Sequence, residues 1–139
     1  MTNLRLDHVA VAVHAIDPAL RLFRDALGAT HFADGPIDSG DERGSWRWYQ
    51  MGLPGGGVIE LLEPITDGFL TRFLDSRGEG LHHITLKTDD IRGSIEHVRS
   101  CGFELVDVNL EDPHWKEAFF RPRQAHGTLI QLAQSGGEA

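Results

Sequence analysis

The run Leu6–Val13 is rich in β-formers and short enough for a strand. Within it Leu6, His8, Ala10 and Ala12 share one face and Val9, Val11 and Val13 the other. The period then changes. Leu20, Phe23 and Leu27 fall on one side of a helix, with Asp17 as a suitable N-cap, Pro18 at the first helical position and Gly28 as the stop. Three further runs, Ala29–Ala33, Trp46–Met51 and Val58–Leu62, have strand character. The connections Gly35–Ser45 and Pro54–Gly57 are rich in glycine and proline and predict loops.

The same order then recurs. Leu81-His82-His83-Ile84-Thr85-Leu86 repeats Leu6-Asp7-His8-Val9-Ala10-Val11 at an offset of 75. Ile91, Ile95 and Val98 stand where Ile16, Leu20 and Phe23 stood, with Asp90 as cap and Gly102 as stop. Strand-like runs follow at Glu104–Asn109, Glu117–Arg121 and Thr128–Ala133. Trp48-Tyr49 aligns with Phe119-Phe120, and Val58-Ile59-Glu60-Leu61 with Leu129-Ile130-Gln131-Leu132, both at an offset of 71. The chain therefore predicts one α+β domain over 1–139, made of two βαβββ modules at about 4–64 and 80–134. A linker at about 65–79 predicts a short helix starting at Asp67 or Gly68, with Phe69, Leu70, Phe73 and Leu74 as its apolar face. The tail Gln134–Ala139 is expected to fray.

The repeat gives the polar residues their meaning. His8 and His83 are equivalent on equivalent strands, and so are Glu60 and Gln131, each flanked by apolar neighbours. Approximate two-fold symmetry between the modules would bring all four together. Two imidazoles, a carboxylate and an amide oxygen make a mixed nitrogen and oxygen set suited to one divalent cation: Zn, Ni, Co, Mn or Fe. Other histidines lack such partners. His14, His31 and His97 are expected at the surface, and His82 to point away from His83. His114 and His126 are expected in rim loops within reach of a ligand. Trp46, Trp48, Tyr49, Trp115, Phe119 and Phe120 could line a cavity or fill the core. Arg47, Arg121, Arg123 and Lys116 could meet an anionic group or be surface charges.

Composition narrows the classes. With formal net charge −8, nothing in the chain would neutralise a phosphate backbone, so nucleic acid is not an expected partner. A lone cysteine, Cys101, permits no internal disulfide. No apolar run approaches bilayer length, and no basic segment precedes an apolar stretch of signal-peptide size. The expectation is a cytoplasmic domain away from membranes.

At these residues the chain resembles the vicinal oxygen chelate superfamily of glyoxalases, bleomycin resistance proteins and extradiol dioxygenases. The methylmalonyl-CoA epimerase branch is the most similar part. Leu6-Asp7-His8-Val9-Ala10, Ile59-Glu60-Leu61-Leu62-Glu63-Pro64, Arg77-Gly78-Glu79-Gly80-Leu81-His82-His83-Ile84 and Gly127-Thr128-Leu129-Ile130-Gln131-Leu132 carry the likeness. The resemblance implies an open, curved mixed sheet around a metal cleft, with His8, Glu60, His83 and Gln131 as ligands. It implies an isomerase, epimerase or lyase acting through a metal-stabilised enolate of a carbonyl or anionic substrate, a CoA thioester included, and a homodimer. Two departures stand out. Gln131 occupies the place of the family's last-strand glutamate, and Trp46-Arg47-Trp48 offers no acid where the epimerases carry a second one. That leaves Glu60 as the expected base. An Fe(II) dioxygenase and a ligand- or antibiotic-binding protein without turnover are the alternatives.

Overall fold

The computed structural model describes residues 3–136. Its strands and helices run β1 (Arg5–Ala12), α1 (Ile16–Leu20), β2 (Thr30–Asp38), β3 (Ser45–Gly52), β4 (Val58–Pro64) and α2 (Phe69–Arg77). Then follow β5 (Gly80–Lys87), α3 (Ile91–Ser100), β6 (Leu105–Asn109), β7 (Trp115–Phe120) and β8 (Ile130–Ser135). The π-helical segment Arg21–Ala26 continues α1. The strands make a mixed sheet in the order β2-β3-β4-β1-β5-β8-β7-β6. β1 pairs with β4 and β5 with β8 in parallel, and the other pairings of known register are antiparallel. The α+β class and the doubled βαβββ order are as expected from the sequence.

The chain divides into two compact units, His8–His82 and the remainder, with boundaries inside β1 and β5. In the unit His8–His82, Val13, Ile16, Leu20, Ala29, Met51 and Leu61 form one core on the α1 side. On the opposite face Ala10, Ala12 and Leu62 pack with Leu70 and Leu74 of α2, joined by Trp46, Trp48, Phe69 and Phe73. The linker's predicted apolar face is thus the face it buries. In the other unit α3 lays Ile91 and Ile95 on Leu105, Ala118 and Leu132. Fully burying side chains of this size stabilises the fold by about 1.5–3 kcal/mol each.

Several local expectations change. Asp17 does not cap α1. The helix begins at Ile16, whose N–H donates to Glu63 Oε1 of β4 at 2.7 Å. A carboxylate from across the sheet replaces the local cap, and Asp17 sits in the first turn, where its charge still suits the helix dipole. Asp90 does cap α3, its Oδ1 accepting from Gly93 N at 3.0 Å. β2 runs on to Asp38 through Gly35-Pro36, which the composition marks as loop. A proline is tolerated there because β2 is an edge strand, where a missing N–H need break no ladder bond. Gly35 lies against the Trp48 ring, 3.2 Å from where a Cβ would stand. Gly68 is the N-cap of α2, and the chain there runs so close to Arg43 that a Cβ would overlap its carbonyl. Within the expected frayed tail Gln134 is fixed, accepting from Ile91 N at 2.9 Å and donating to Asp89 O at 3.0 Å. Residues 137–139 of that tail lie outside the described residues.

The repeat also needs one adjustment. In β3–β4 Gln50 faces Glu60, whereas in β7–β8 Phe119 faces Gln131. Register therefore makes Gln50 the equivalent of Phe119, and Trp48 the equivalent of Glu117, two residues from the sequence alignment. A slip of two keeps every side chain on its expected face and changes which residues correspond.

Candidate metal and proton-transfer residues

In the unit His8–His82, the alternation of β1 turns His8, Ala10 and Ala12 to one side. The parallel register sets Ala10 beside Glu60. His8 is 3% exposed and Glu60 8% exposed, so both polar groups have left water. His8 Nε2 lies 3.4 Å from Glu60 Oε1. The other oxygen, Oε2, accepts from Gln50 Nε2 at 2.8 Å. A buried carboxylate is costly unless it is paired and hydrogen-bonded, and here both oxygens face nitrogen.

Trp46 and Trp48 share this face but serve the α2 core, with Trp46 edge-on to Phe69 at 4.9 Å. Tyr49 and Arg47 point to the other face. There Tyr49 meets His31 at 4.4 Å and Arg47 lies 4.0 Å from Asp34. His31 is held by Asp34 at 2.7 Å, so it is an exposed but tethered residue. His82 packs on Phe69 at 5.4 Å and Phe73 at 4.9 Å. Burial pushes its imidazole down to about 4, against the opposing charge of Glu60 and with the help of Arg77.

In the other unit, His83 is half-buried on β5, and Thr85 is the register partner of Gln131 on β8. Gln131 is 8% exposed. Its Oε1 accepts from Thr85 Oγ1 at 2.6 Å, and its Nε2 donates to Glu117 Oε1 at 2.8 Å. The indole of Trp115 donates to that same oxygen at 2.9 Å. Lys87 Nζ lies 5.3 Å from the Trp115 ring centre and 3.6 Å from Asp7 Oδ1. Phe120 belongs to the α3 core. Lys116 alternates onto that opposite side, while Arg121, Arg123, His114 and His126 are exposed in connections.

Sequence reasoning missed Gln50 and Glu117. Trp115, Glu117 and Phe119 alternate on one face of β7, but only the pairing of β7 with β8 sets Glu117 beside Gln131.

A family model described as glyoxalase/bleomycin resistance protein/dioxygenase superfamily matches residues 7–119. The chain is 27% identical over 137 residues to the uncharacterized protein YqjC of Bacillus subtilis, covering 96% of this chain and 94% of that one. It is 30% identical over 135 residues to an ethylmalonyl-CoA/methylmalonyl-CoA epimerase of Cereibacter sphaeroides, covering 94% and 97%. A solved methylmalonyl-CoA epimerase in complex with methylmalonyl-CoA and an ammonium ion superposes with TM-score 0.79 at 25% identity, covering 96% of each chain.

Proposed function

As a member of the glyoxalase/bleomycin resistance protein/dioxygenase superfamily, this chain, we propose, is a divalent-metal-dependent isomerase that moves the proton on the carbon beside a thioester carbonyl. Its substrate in this reading is an acyl-CoA of the methylmalonyl type, which fits the epimerases among its relatives. The observation that carries the proposal is Glu60: a carboxylate removed from water, held by Gln50 and facing His8.

We assign His8, Glu60, His83 and Gln131 as the metal ligands. The donor chemistry fits. His8, Glu60 and His83 supply two imidazoles and a carboxylate that could hold a metal ion. A carbonyl oxygen has two lone pairs, and Thr85 engages one on Gln131, which leaves the second for a cation. Zn, Ni, Co, Mn and Fe(II) all accept such a set. A bound cation would supply positive charge against the enolate oxygen that forms when the α-proton leaves.

The chain's own residues then divide the work. His8 and Gln50 keep the Glu60 carboxylate oriented. Glu60 takes up the α-proton or returns it. Thr85 and Glu117 fix the Gln131 amide with its oxygen and nitrogen turned to different partners. The same reading expects one domain, a homodimer and a cytoplasmic location; among the described residues no helix is long and apolar enough to cross a membrane.

Incubating the metal-loaded protein with methylmalonyl-CoA in deuterated water tests this. Loss of the α-proton signal by NMR, faster than without protein and abolished by chelator, is the expected result. No exchange with any acyl-CoA thioester would refute it. Metal analysis after purification without chelators adds a second check, since iron with oxygen uptake would point to the dioxygenase alternative.

A further inference from the structure

β7 gives Ala118 and Phe120 to the α3 core, so its alternation turns Trp115, Glu117 and Phe119 to the opposite face, the face of Gln131. The ladder β5-β8-β7 arranges that face in rows. In one row Gln131 has Thr85 on one side and Phe119 on the other. In the next row Ala133 has Lys87 on one side and Glu117 on the other. Ala133 carries only a methyl group, and the two strands beside β8 stand about 9–10 Å apart. That gap admits an aromatic ring, and Trp115 fills it. Lys87 Nζ lies 5.3 Å from the ring centre, and Glu117 Oε1 accepts from the indole N–H at 2.9 Å. Ala133 beneath is fully buried.

The ring is therefore tied at two places, at its N–H edge by a charged acceptor and over its face by a cation. Lys87 is itself drawn to Asp7, with Nζ 3.6 Å from Oδ1. Glu117 Oε1 also accepts from Gln131 Nε2, at 2.8 Å. Two donors on one oxygen place the indole nitrogen within the sum of those two bond lengths of the Gln131 amide nitrogen. A group held at Gln131 thus meets Phe119 beside it and Trp115 one row further along β8. Both aromatic side chains are half-buried, so each still presents apolar surface.

We propose that Trp115 is a specificity-determining residue, a fixed wall that limits the substituent on the reacting carbon to a short alkyl group. This rests on the isomerase reading above, with Gln131 as a ligand. The substrate class is then a 2-alkylmalonyl thioester with methyl accepted and longer chains refused. A chain extended along β8 past Gln131 runs into an indole that is tied on both sides and cannot turn away.

The test offers 2-methyl-, 2-ethyl- and 2-butylmalonyl-CoA separately to metal-loaded wild type, W115F, W115L and W115A in deuterated water. Loss of the α-proton is read by NMR at limiting substrate. The butyl-to-methyl ratio is the measure, because any change in the folded or metal-loaded fraction cancels from it. Wild type is expected to exchange the butyl compound at least about 100-fold more slowly than the methyl one, since a single misplaced methylene already costs about tenfold or more. W115A and W115L are expected to raise the ratio about tenfold or more. W115F is expected to leave it within about threefold, because a ring remains. W115L is a milder change, so the test stands even if W115A folds poorly. Wild type exchanging butyl as fast as methyl, a ratio unchanged in W115L, or W115F matching W115L overturns the wall and leaves the isomerase reading intact. No exchange of any of the three by wild type overturns both.

Discussion

Replacing Gln50 by alanine isolates what holds Glu60. Gln50 Nε2 donates to Glu60 Oε2 at 2.8 Å, and Glu60 is 8% exposed, so water does not readily replace the lost donor. A hydrogen bond to a charged group contributes about 1.5–3 kcal/mol. At 1.4 kcal/mol per tenfold, that corresponds to about 10–150-fold in an equilibrium that depends on Glu60 being correctly held. Partners that orient metal ligands typically change affinity by about 10–100-fold, which overlaps this range. Q50A should therefore bind Zn or Ni about 10–100-fold more weakly in competition with a chromophoric chelator. The stripped protein should also lose about 1–3 kcal/mol of stability, because a buried oxygen is left without its donor. Both effects come from the same contact, so they should appear together. Metal affinity within threefold of wild type, with stability lowered as expected, would refute the claim that Gln50 acts by orienting a ligand.

Other consequences can be measured directly. His82 is held down at about 4, below its ordinary 6.5, first by burial and also by Arg77, with Glu60 opposing. Below pH 6.5 the unfolded chain takes up a proton that the folded protein refuses, so stability of the metal-free protein should fall as pH drops from about 6.5 to about 4. H82F should flatten that decline in a calorimetric series, and an unchanged slope would contradict it. G68A should destabilise by about 1–3 kcal/mol in denaturant melts, since its Cβ meets the Arg43 carbonyl, a backbone atom that cannot swing aside. E63A should cost about 1 kcal/mol by removing the acceptor for Ile16 N, whereas D17A should cost less than half of that. The reverse order would restore Asp17 as the cap.

Much of the architecture was legible because it is local and repeated. Strand and helix periods, the Gly28 and Gly102 stops and the Asp90 cap depend on residues close together in the chain. The duplication then tied His8 to His83 and Glu60 to Gln131 without any three-dimensional information. The apolar face of α2 was readable for the same reason.

What the sequence could not decide was pairing between distant segments. The Glu63 cap on Ile16 joins residues 47 apart, and no helix rule foresees an acceptor from another strand. The extension of β2 through Pro36 depends on its edge position, which belongs to the sheet as a whole. Glu117 gained its place from a register differing by two residues between β3–β4 and β7–β8. Strand period says which face a residue takes, but only the hydrogen-bonded ladder says which neighbour it meets. That is why the amide at Gln131 was visible in the chain, and the carboxylate that holds it became visible only in the fold.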